Sequence, residues 1–211
     1  MKKTILIYVL AFFSITAFAQ EADKDGWIPL WDGETFDGWK VGENPDSFTI
    51  VDGTIKVDGP RAHLFYVGPV ENHNFKNFEF KAQVMTQPGA NSGIFIHTRF
   101  QEEGWPSKGY EIQVNQTHSD WRKTGSVYSF ADVKEVYVED NEWYTEHVIV
   151  KGDKITVKIN GKTVVEYVES EDENRPADAG EKKIDSGTFA LQAHDPKSVI
   201  FYKDIKVKPL P

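Results

Sequence analysis

The sequence predicts an all-β protein, a sandwich or barrel of short antiparallel strands. Many segments alternate between apolar and polar residues, which is the period of a half-buried strand. Turn residues, such as Asp52-Gly53 and Asn160-Gly161, separate these segments at short intervals. No segment keeps the 3.6-residue apolar period of an amphipathic helix. Together these patterns favour two antiparallel sheets whose apolar faces share one core.

Length, charge and cysteine content exclude several classes of protein. The 211 residues suit a single all-β domain. A formal net charge of -9 argues against binding to nucleic acid. The chain has no cysteine, so it has no disulfide, no thiolate metal site and no thiol nucleophile.

The first 19 residues are expected to be a secretory signal peptide. Lys2 and Lys3 precede the apolar stretch 5–13, and Ala17-Phe18-Ala19 supplies an A-x-A cleavage pattern. Cleavage would remove two lysines and no acid, which leaves 22 basic against 33 acidic residues, a net charge of -11. Residues 20–211 would then be one periplasmic or extracellular domain, with no membrane segment remaining.

The elements that follow the leader are short. Residues 25–40 contain Trp27, Trp31 and Trp39, which we expect to pack onto the core, with stacking on a sugar as the alternative. Strands are predicted at 48–51 and 54–57, then at 63–67 and 75–85.

Two residues at the start of the 63–67 strand are candidate ligand contacts. Arg61 and His63 are two positions apart and therefore share a strand face, where they could contact an anionic or hydroxyl-rich ligand together. A purely structural histidine is the ordinary alternative.

The central stretch, residues 91–115, contains two strands with unusually polar faces. In the first strand His97 and Arg99 alternate with apolar residues, and in the second Glu111, Gln113 and Asn115 do so. The loop that follows carries Trp121 and Lys123, and we expect Lys123 to lie beside the polar face, with a solvated loop as the alternative.

The remaining elements form a meander and a final hairpin. Strands are predicted at 133–138, 143–150, 155–159, 163–168, 188–194 and 199–207. The segment 169–186 is rich in charged residues and proline and is predicted to be an exposed loop. In the strand 188–194, Gln192 and His194 share one face.

These polar faces are expected to line one groove on the sandwich. The residues assigned to it belong to four strands and are Glu79, Lys81, Gln83, His97, Arg99, Glu111, Gln113, Asn115, Gln192 and His194. An ordinary half-solvated sheet is the competing interpretation.

Several short motifs resemble one known family. WIPLWDGETFDGW, GPRAHLFYVGPV, NSGIFIHTRF, KGYEIQVN, WRKTGSVY and LQAHD, in this order, are similar to the 3-keto-disaccharide hydrolase domain family over residues 26–209. The resemblance implies a concanavalin A-like jelly roll, related to laminarinase-type glycoside hydrolases. It also implies cleavage of 3-keto-glycosides that a separate sugar 3-dehydrogenase supplies, in some members through a lyase step.

The residues themselves favour such a lyase step. A retaining glycosidase needs two carboxyl groups roughly 5–5.5 Å apart. The strand that carries Glu111 continues with Gln113 and Asn115, and neither amide can replace a carboxyl group. A 3-keto group acidifies the proton on C2, so one base can start an elimination that expels the substituent on C1.

We therefore assign candidate roles. Glu111 or His194 is the base, Arg99 or Lys123 stabilises the enolate, and His97 protonates the leaving oxygen. The candidate substrate-binding residues are Gln113, Gln192, Asn115, Arg61, His63 and Trp121.

A divalent metal ion is an alternative cofactor, because His97, His194 and Glu111 are suitable ligand types. They show no compact spacing such as His-x-x-x-His. A carbohydrate-binding module without catalytic activity is the rival function, since the same fold hosts lectins.

Overall fold

A computed structural model describes residues 21–169 and 179–211 of the chain. Within these residues there are thirteen strands and two short 3-10 segments, Pro45–Ser47 and Val70–His73. The strands are β1 Ile28–Pro29, β2 Trp39–Val41, β3 Phe48–Val51, β4 Thr54–Asp58, β5 Ala62–Tyr66, β6 Phe78–Thr86, β7 Ser92–Thr98, β8 Tyr110–Val114, β9 Tyr144–Lys151, β10 Lys154–Ile159, β11 Lys162–Val168, β12 Thr188–Ala193 and β13 Val199–Pro209. The described part of the chain contains no helix whose length and apolar character would let it span a bilayer.

The strands form two antiparallel sheets, which confirms the predicted all-β sandwich. Sheet A has the order β11-β10-β9-β6-β13-β4-β3, and β1 pairs with β13 beside this path. Sheet B has the order β2-β5-β12-β7-β8. In sheet B, β7 and β8 are consecutive in the chain, but β12 pairs with β5 and β7 from far away in sequence, so the polar face forms only when β12 joins the sheet.

The core lies between the inner faces of the two sheets. Alternate residues of β6, β9 and β13 point inward from sheet A and are buried. Phe189 of sheet B is fully buried, and its ring centroid lies 4.7 Å from those of Phe75 and Phe80 and 4.9 Å from that of Phe78. This aromatic cluster joins the two sheets.

The outer face of sheet B is also buried, and this burial creates the site described below. Every residue of β5, β7 and β12 is buried, so these strands lose the exposed face of an ordinary antiparallel sheet. Phe65, Phe95 and Ala190 form a small apolar cluster on this outer face. Loops 99–109 and 115–133 continue directly from β7 and β8 and contribute residues above it.

Two strands contain an extra residue that changes which side chains face outward. Thr188 and Ala190 of β12 pair with Thr98 and Phe95 of β7, so β7 carries one residue more than its partner, and His97 there has φ 53°. In β13, Lys203 pairs with Gln83 and Lys206 with Lys81, so β13 also has one extra residue. Both irregularities are β-bulges.

Some sequence-based expectations are wrong or lie outside the described residues. The proposed signal peptide and residues 170–178 of the 169–186 loop are not described. No strand forms at 133–138. The expected single groove is wrong as well, because β6, with Glu79, Lys81 and Gln83, belongs to sheet A and the other polar strands belong to sheet B.

Phe189→Ala tests the packing between the sheets. We expect a loss of about 3–5 kcal/mol in the free energy of unfolding, because the truncation leaves a cavity among three rings. Urea denaturation followed by tryptophan fluorescence measures it. Val168→Ala is the control, since Val168 is 54% exposed and its loss should change stability by less than about 0.5 kcal/mol. Equal effects of the two substitutions would contradict the described core.

Candidate active site

A cavity of about 280 Å³ opens on the outer face of sheet B. Its floor is formed by β7, β8 and β12 and its walls by the two covering loops. Apolar and polar side chains both line it, as in most small-molecule sites. The lining residues are Asn91, Phe95, Trp105, Pro106, Glu111, Gln113, Asp120, Tyr128, Lys182, Gln192 and His194.

Glu111 lies on the floor of the cavity. It is paired with Phe95 across β7 and β8, and its Oε1 accepts a hydrogen bond of 3.0 Å from Nε2 of Gln192. Burial raises the pKa of Glu111 to about 7, the Gln192 bond and the charge of Lys182 oppose this rise, and Asp120 adds to it. A carboxyl group with this pKa can exchange a proton near neutral pH.

Gly93 on β7 leaves the space that the Glu111 side chain occupies. A Cβ atom at Gly93 would lie 2.5 Å from Oε1 of Glu111 and 2.7 Å from its Cγ. Any larger residue at position 93 would therefore displace the carboxyl group.

Gln113 and Gln192 present unused acceptors beside this carboxyl group. Both side chains are buried, and Oε1 of each accepts no hydrogen bond from a described residue. The Nε2 group of Gln113 donates to Oδ1 of Asn91 over 3.2 Å, which fixes its amide. Buried acceptors without donors are costly, so a bound hydroxyl group is the expected partner.

Two histidines and a tryptophan meet at one wall of the cavity. The ring centroid of His194 lies 5.4 Å from that of Trp105 and 5.6 Å from that of His118. His194 donates from Nδ1 to Oδ2 of Asp195 over 2.8 Å, which leaves its Nε2 for a ligand. Burial and the neighbouring His194 lower the pKa of His118.

Asp120 brings a second carboxyl group to the cavity from the loop after β8. Its Oδ2 accepts a bond of 3.2 Å from the Tyr128 hydroxyl, and its Oδ1 accepts one of 2.9 Å from the backbone N–H of Arg122. The Arg122 guanidinium lies 3.7 Å from Oδ1. Sequence reasoning missed Asp120 because the loop has no periodic pattern that predicts its direction.

Asn115 and Lys123 hold this loop and do not line the cavity, contrary to the roles expected for them. The Asn115 amide donates to the carbonyl oxygens of Asp120 and Arg122, over 2.9 and 2.7 Å. The Lys123 ammonium donates to the carbonyl oxygens of His118 and Asp120, over 2.9 Å in each case. Both side chains therefore fix the backbone of the loop and, with it, the position of Asp120.

Arg61 and His63 support the Trp105 loop from below. Arg61 pairs with Glu43 over 2.8 Å, and Glu43 also accepts a bond of 2.9 Å from the backbone N–H of Gly104. The buried ring of His63 lies 5.6 Å from that of Trp105, and burial lowers the His63 pKa to about 3. Neither residue lines this cavity, so the structure places the pair behind it, and contact with a ligand stays a prediction for them.

His97 and Arg99 lie outside the cavity, and the reason is the bulge in β7. The extra residue turns His97 inward, where its ring packs 5.4 Å from Phe78 and its Nε2 bonds to the carbonyl oxygen of Lys76 over 2.9 Å. Arg99 is exposed and pairs with Glu181 over 2.9 Å. The expected placement of both residues in the groove is wrong.

Trp121 does not line the cavity, and the three candidate metal ligands do not lie together. Trp121 is exposed and contacts Arg122 and Lys134 instead of lining the cavity. Because His97 is turned away, it cannot join His194 and Glu111 around one ion. Within residues 21–169 and 179–211, no three His, Asp or Glu side chains are grouped as metal ligands.

The fold and the cavity together define a class of protein. It is an antiparallel β-sandwich of the galectin and jelly-roll type with a partly enclosed polar pocket on one outer face. Residues 26–208 match the model of the 3-keto-alpha-glucoside-1,2-lyase-like domain, and the chain belongs to that family.

One curated relative and several solved structures are similar to the chain. A 3-keto-disaccharide hydrolase from Bacteroides thetaiotaomicron is 28% identical over 172 residues, which cover 69% of this chain and 59% of the relative. The matched region thus spans less than two thirds of that relative's length.

The solved structures show the fold. A candidate glycosyl hydrolase from Parabacteroides distasonis has a TM-score of 0.76 at 23% identity, over 89% of this chain and 95% of that one. The carbohydrate-binding module CBM66 from Bacillus subtilis has a TM-score of 0.56 at 12% identity, over 81% and 95%.

His97→Ala separates a structural role from a catalytic one. We expect a loss of about 1–3 kcal/mol in the free energy of unfolding, since the carbonyl group of Lys76 loses its buried donor. Ligand binding and turnover per folded molecule should stay unchanged. Urea denaturation and activity assays on the same preparation measure both. A large loss of turnover with unchanged stability would contradict this placement.

Proposed function

We propose that this protein cleaves the glycosidic bond of 3-keto-glycosides, including 3-keto-disaccharides, by an elimination that begins at C2. The observation that carries the proposal is Glu111, a carboxyl group with a pKa raised to about 7 on the floor of an enclosed polar cavity. Family membership and the name of the curated relative support the same substrate class.

In the first step the Glu111 carboxylate removes the proton from C2 of the sugar. The 3-keto group makes this proton acidic, because the electron pair left on C2 moves toward O3 as an enolate. Lys182 lines the cavity and its charge already favours negative charge at Glu111. We assign Lys182 to the enolate oxygen, a role first expected for Arg99 or Lys123.

In the second step the C1–O bond breaks and the enolate electrons form the C1=C2 double bond. The leaving oxygen takes the Nε2 proton of His194, which acts in its imidazolium form, and Asp195 maintains the orientation of the ring through Nδ1. The products are an alcohol and a 2-hydroxy-3-keto-glycal. In the return step a water molecule adds its oxygen to C1 and gives a proton back to Nε2 of His194, while Glu111 returns its proton to C2, which completes a net hydrolysis.

The remaining lining residues bind and orient the sugar. The free Oε1 acceptors of Gln113 and Gln192 take bonds from sugar hydroxyl groups. Trp105, which is 46% exposed, offers a ring face at the mouth of the cavity. Such stacking on an aromatic face is a frequent mode of sugar recognition by proteins.

Two other functions are alternatives, and one observation supports each of them. Asp120 places a second carboxyl group in the cavity, so an ordinary two-carboxylate glycosidase is a candidate. The similarity in fold to a carbohydrate-binding module makes binding without cleavage the other.

We also propose that the protein is exported and acts after an oxidation. The basic, apolar and A-x-A segments at 1–19 support export to the periplasm or beyond. A 3-keto-glycoside must come from oxidation of a C3 hydroxyl group, so a sugar 3-dehydrogenase is the functional partner.

The substrate test uses a 3-keto-glucoside and its parent glucoside with the same aglycone. We expect release of the aglycone from the keto compound alone, because only its C2 proton is acidic, and NMR should detect the glycal. Cleavage of the parent glucoside would favour the two-carboxylate route. Binding of either compound without release would favour a binding module. A parallel reaction with a chelator tests for a divalent ion.

Glu111→Gln tests the proposed base. An amide cannot accept the C2 proton, so we expect kcat to fall by about a hundredfold or more. Single-turnover release of the aglycone measures it. Glu79→Gln, on the outer face of sheet A, is the matched control and should retain full activity. A Glu111→Gln variant with unchanged kcat would remove Glu111 as the base.

The pH dependence should follow the Glu111 pKa. Since the base must be deprotonated, the rate should fall as the pH drops below about 7, the value set by burial. The hydrogen bond from Gln192 stabilises the Glu111 carboxylate, so Gln192→Leu should raise the pKa of Glu111. The fall in rate on the acidic side of the pH profile should then begin at a higher pH. The pH profile of kcat/KM checks it, with Gln83→Leu on sheet A as control. An unchanged acidic midpoint of the kcat/KM profile in Gln192→Leu would contradict the assignment of Glu111 as the base.

A further inference from the structure

A second and larger cavity lies on the outer face of sheet A. It has a volume of about 540 Å³, within the range of roughly 300–1,000 Å³ for small-molecule sites. It crosses β6, β9 and β13, and the hairpin turns at Gly53 and Gly161 and the loop at 31–33 border it. This groove shares no lining residue with the cavity of Glu111.

The bulge in β13 places two lysines on the floor of this groove. Lys203 and Lys206 are three residues apart and would face opposite sides of a regular strand. The extra residue pairs them with Gln83 and Lys81, so both face outward beside Lys81. Bulges often re-aim side chains next to functional sites.

Two tryptophans position the three ammonium groups. Nζ of Lys81 lies 4.1 Å and Nζ of Lys206 lies 5.5 Å from the ring centroid of Trp27. Nζ of Lys203 lies 4.1 Å from that of Trp143. Among the described residues, no carboxylate forms a salt bridge with any of the three lysines. Glu79 and Asp23 interact with Lys81 and Lys206 at longer range.

The groove is positive in a chain that is acidic overall. Burial and the repulsion of Lys206, Lys208 and Lys158 lower the pKa of Lys81, and Glu79 opposes this. Two nearby carboxylates keep their charge and are held by hydrogen bonds: Glu79 accepts from His147 over 2.8 Å, and Asp32 accepts from Thr35 over 2.6 Å. Asp32 and Asp204 both line the groove, so its three lysines exceed its two lining carboxylates by one charge. The net charge of the whole chain is -9, so this local excess of lysine is not a general property of its surface.

Neutral polar groups lie between the lysines and one rim. Nε2 of Gln83 donates to Oγ1 of Thr145 over 2.7 Å, and Oδ1 of Asn160 accepts from the backbone N–H of Thr145 over 2.9 Å. Amide and hydroxyl groups beside cations match a ligand that carries hydroxyl groups and negative charges together.

We propose that this groove binds an anionic saccharide, a sugar chain that carries carboxylate or sulfate groups. Lys81, Lys203 and Lys206 contact the anionic groups, and Gln83, Thr145 and Asn160 contact the hydroxyl groups. The site is separate from the proposed catalytic cavity, because the two lie on opposite outer faces of the sandwich. Both can therefore be occupied at the same time, and an anionic glycan can hold the enzyme without blocking cleavage.

The test is isothermal titration of the purified protein with four oligomers of equal length. They are an oligogalacturonate, a sulfated maltooligosaccharide, a neutral maltooligosaccharide and polyglutamate. We expect one or both anionic saccharides to bind, and the one that binds identifies the carboxylate or the sulfate as the source of charge. The neutral sugar and polyglutamate should bind at least about tenfold more weakly, since each lacks one of the two features.

Substitutions locate the binding. Lys81→Gln with Lys206→Gln should weaken binding of the anionic saccharide about tenfold, and added salt should weaken wild-type binding. Lys40→Gln is the matched control, because Lys40 also lies over an aromatic ring, 3.9 Å from Phe100, but on sheet B. It should bind like the wild type.

Catalysis and this binding should be independent. Glu111→Gln should keep full affinity for the anionic saccharide, and the double lysine variant should keep full activity on a 3-keto-glucoside. Three results would each overturn the inference: no binding of either anionic saccharide, equal binding of polyglutamate, or unchanged affinity in the double lysine variant.

Discussion

Each side chain of a strand points to the face opposite its neighbours, and this period of two governs both outer faces of the sandwich. It turns Glu111 and Gln113 toward the same cavity on β8, with Gln192 beside them on β12. Where one strand has an extra residue, the side chains beyond it face the side opposite to the one that simple alternation predicts. The bulge in β7 removes His97 from the face of Phe95, and the bulge in β13 brings Lys203 and Lys206 onto one face. Two single-residue insertions thus determine which side chains each cavity receives.

Desolvation makes the face of sheet B chemically useful. An exposed glutamate is ionised throughout the neutral range, whereas burial under the covering loops raises the pKa of Glu111 to about 7. Structural hydrogen bonds maintain that cover. Asn115 and Lys123 hold the loop of Asp120, and Glu43 with Arg61 holds the loop of Trp105. These polar and charged side chains therefore hold the loops that cover one carboxyl group, that of Glu111.

The two outer faces differ in the surroundings of their charged groups. On sheet B a carboxyl group is enclosed, bonded to an amide and flanked by histidine, which suits proton transfer. On sheet A the ammonium groups of the lysines lie over the faces of aromatic rings, an arrangement that suits binding of an anion. The rigid core between the sheets keeps these two environments apart.

The alternation of the sequence by itself determined the strands, the two-sheet sandwich and the polar faces that carry Glu111, Gln113, Gln192 and His194, because strand periodicity is a local property. Only the tertiary structure decided which strands are neighbours, since β6 and β8 belong to different sheets although both alternate. It also decided the positions of His97 and Arg99, because a bulge depends on the register of the partner strand. The contributions of Asp120 and Trp105 come from loops without periodicity. Hydrogen bonds within its own loop hold Asp120, whereas the Trp105 loop depends on a residue distant in sequence, through the bond from Gly104 to Glu43.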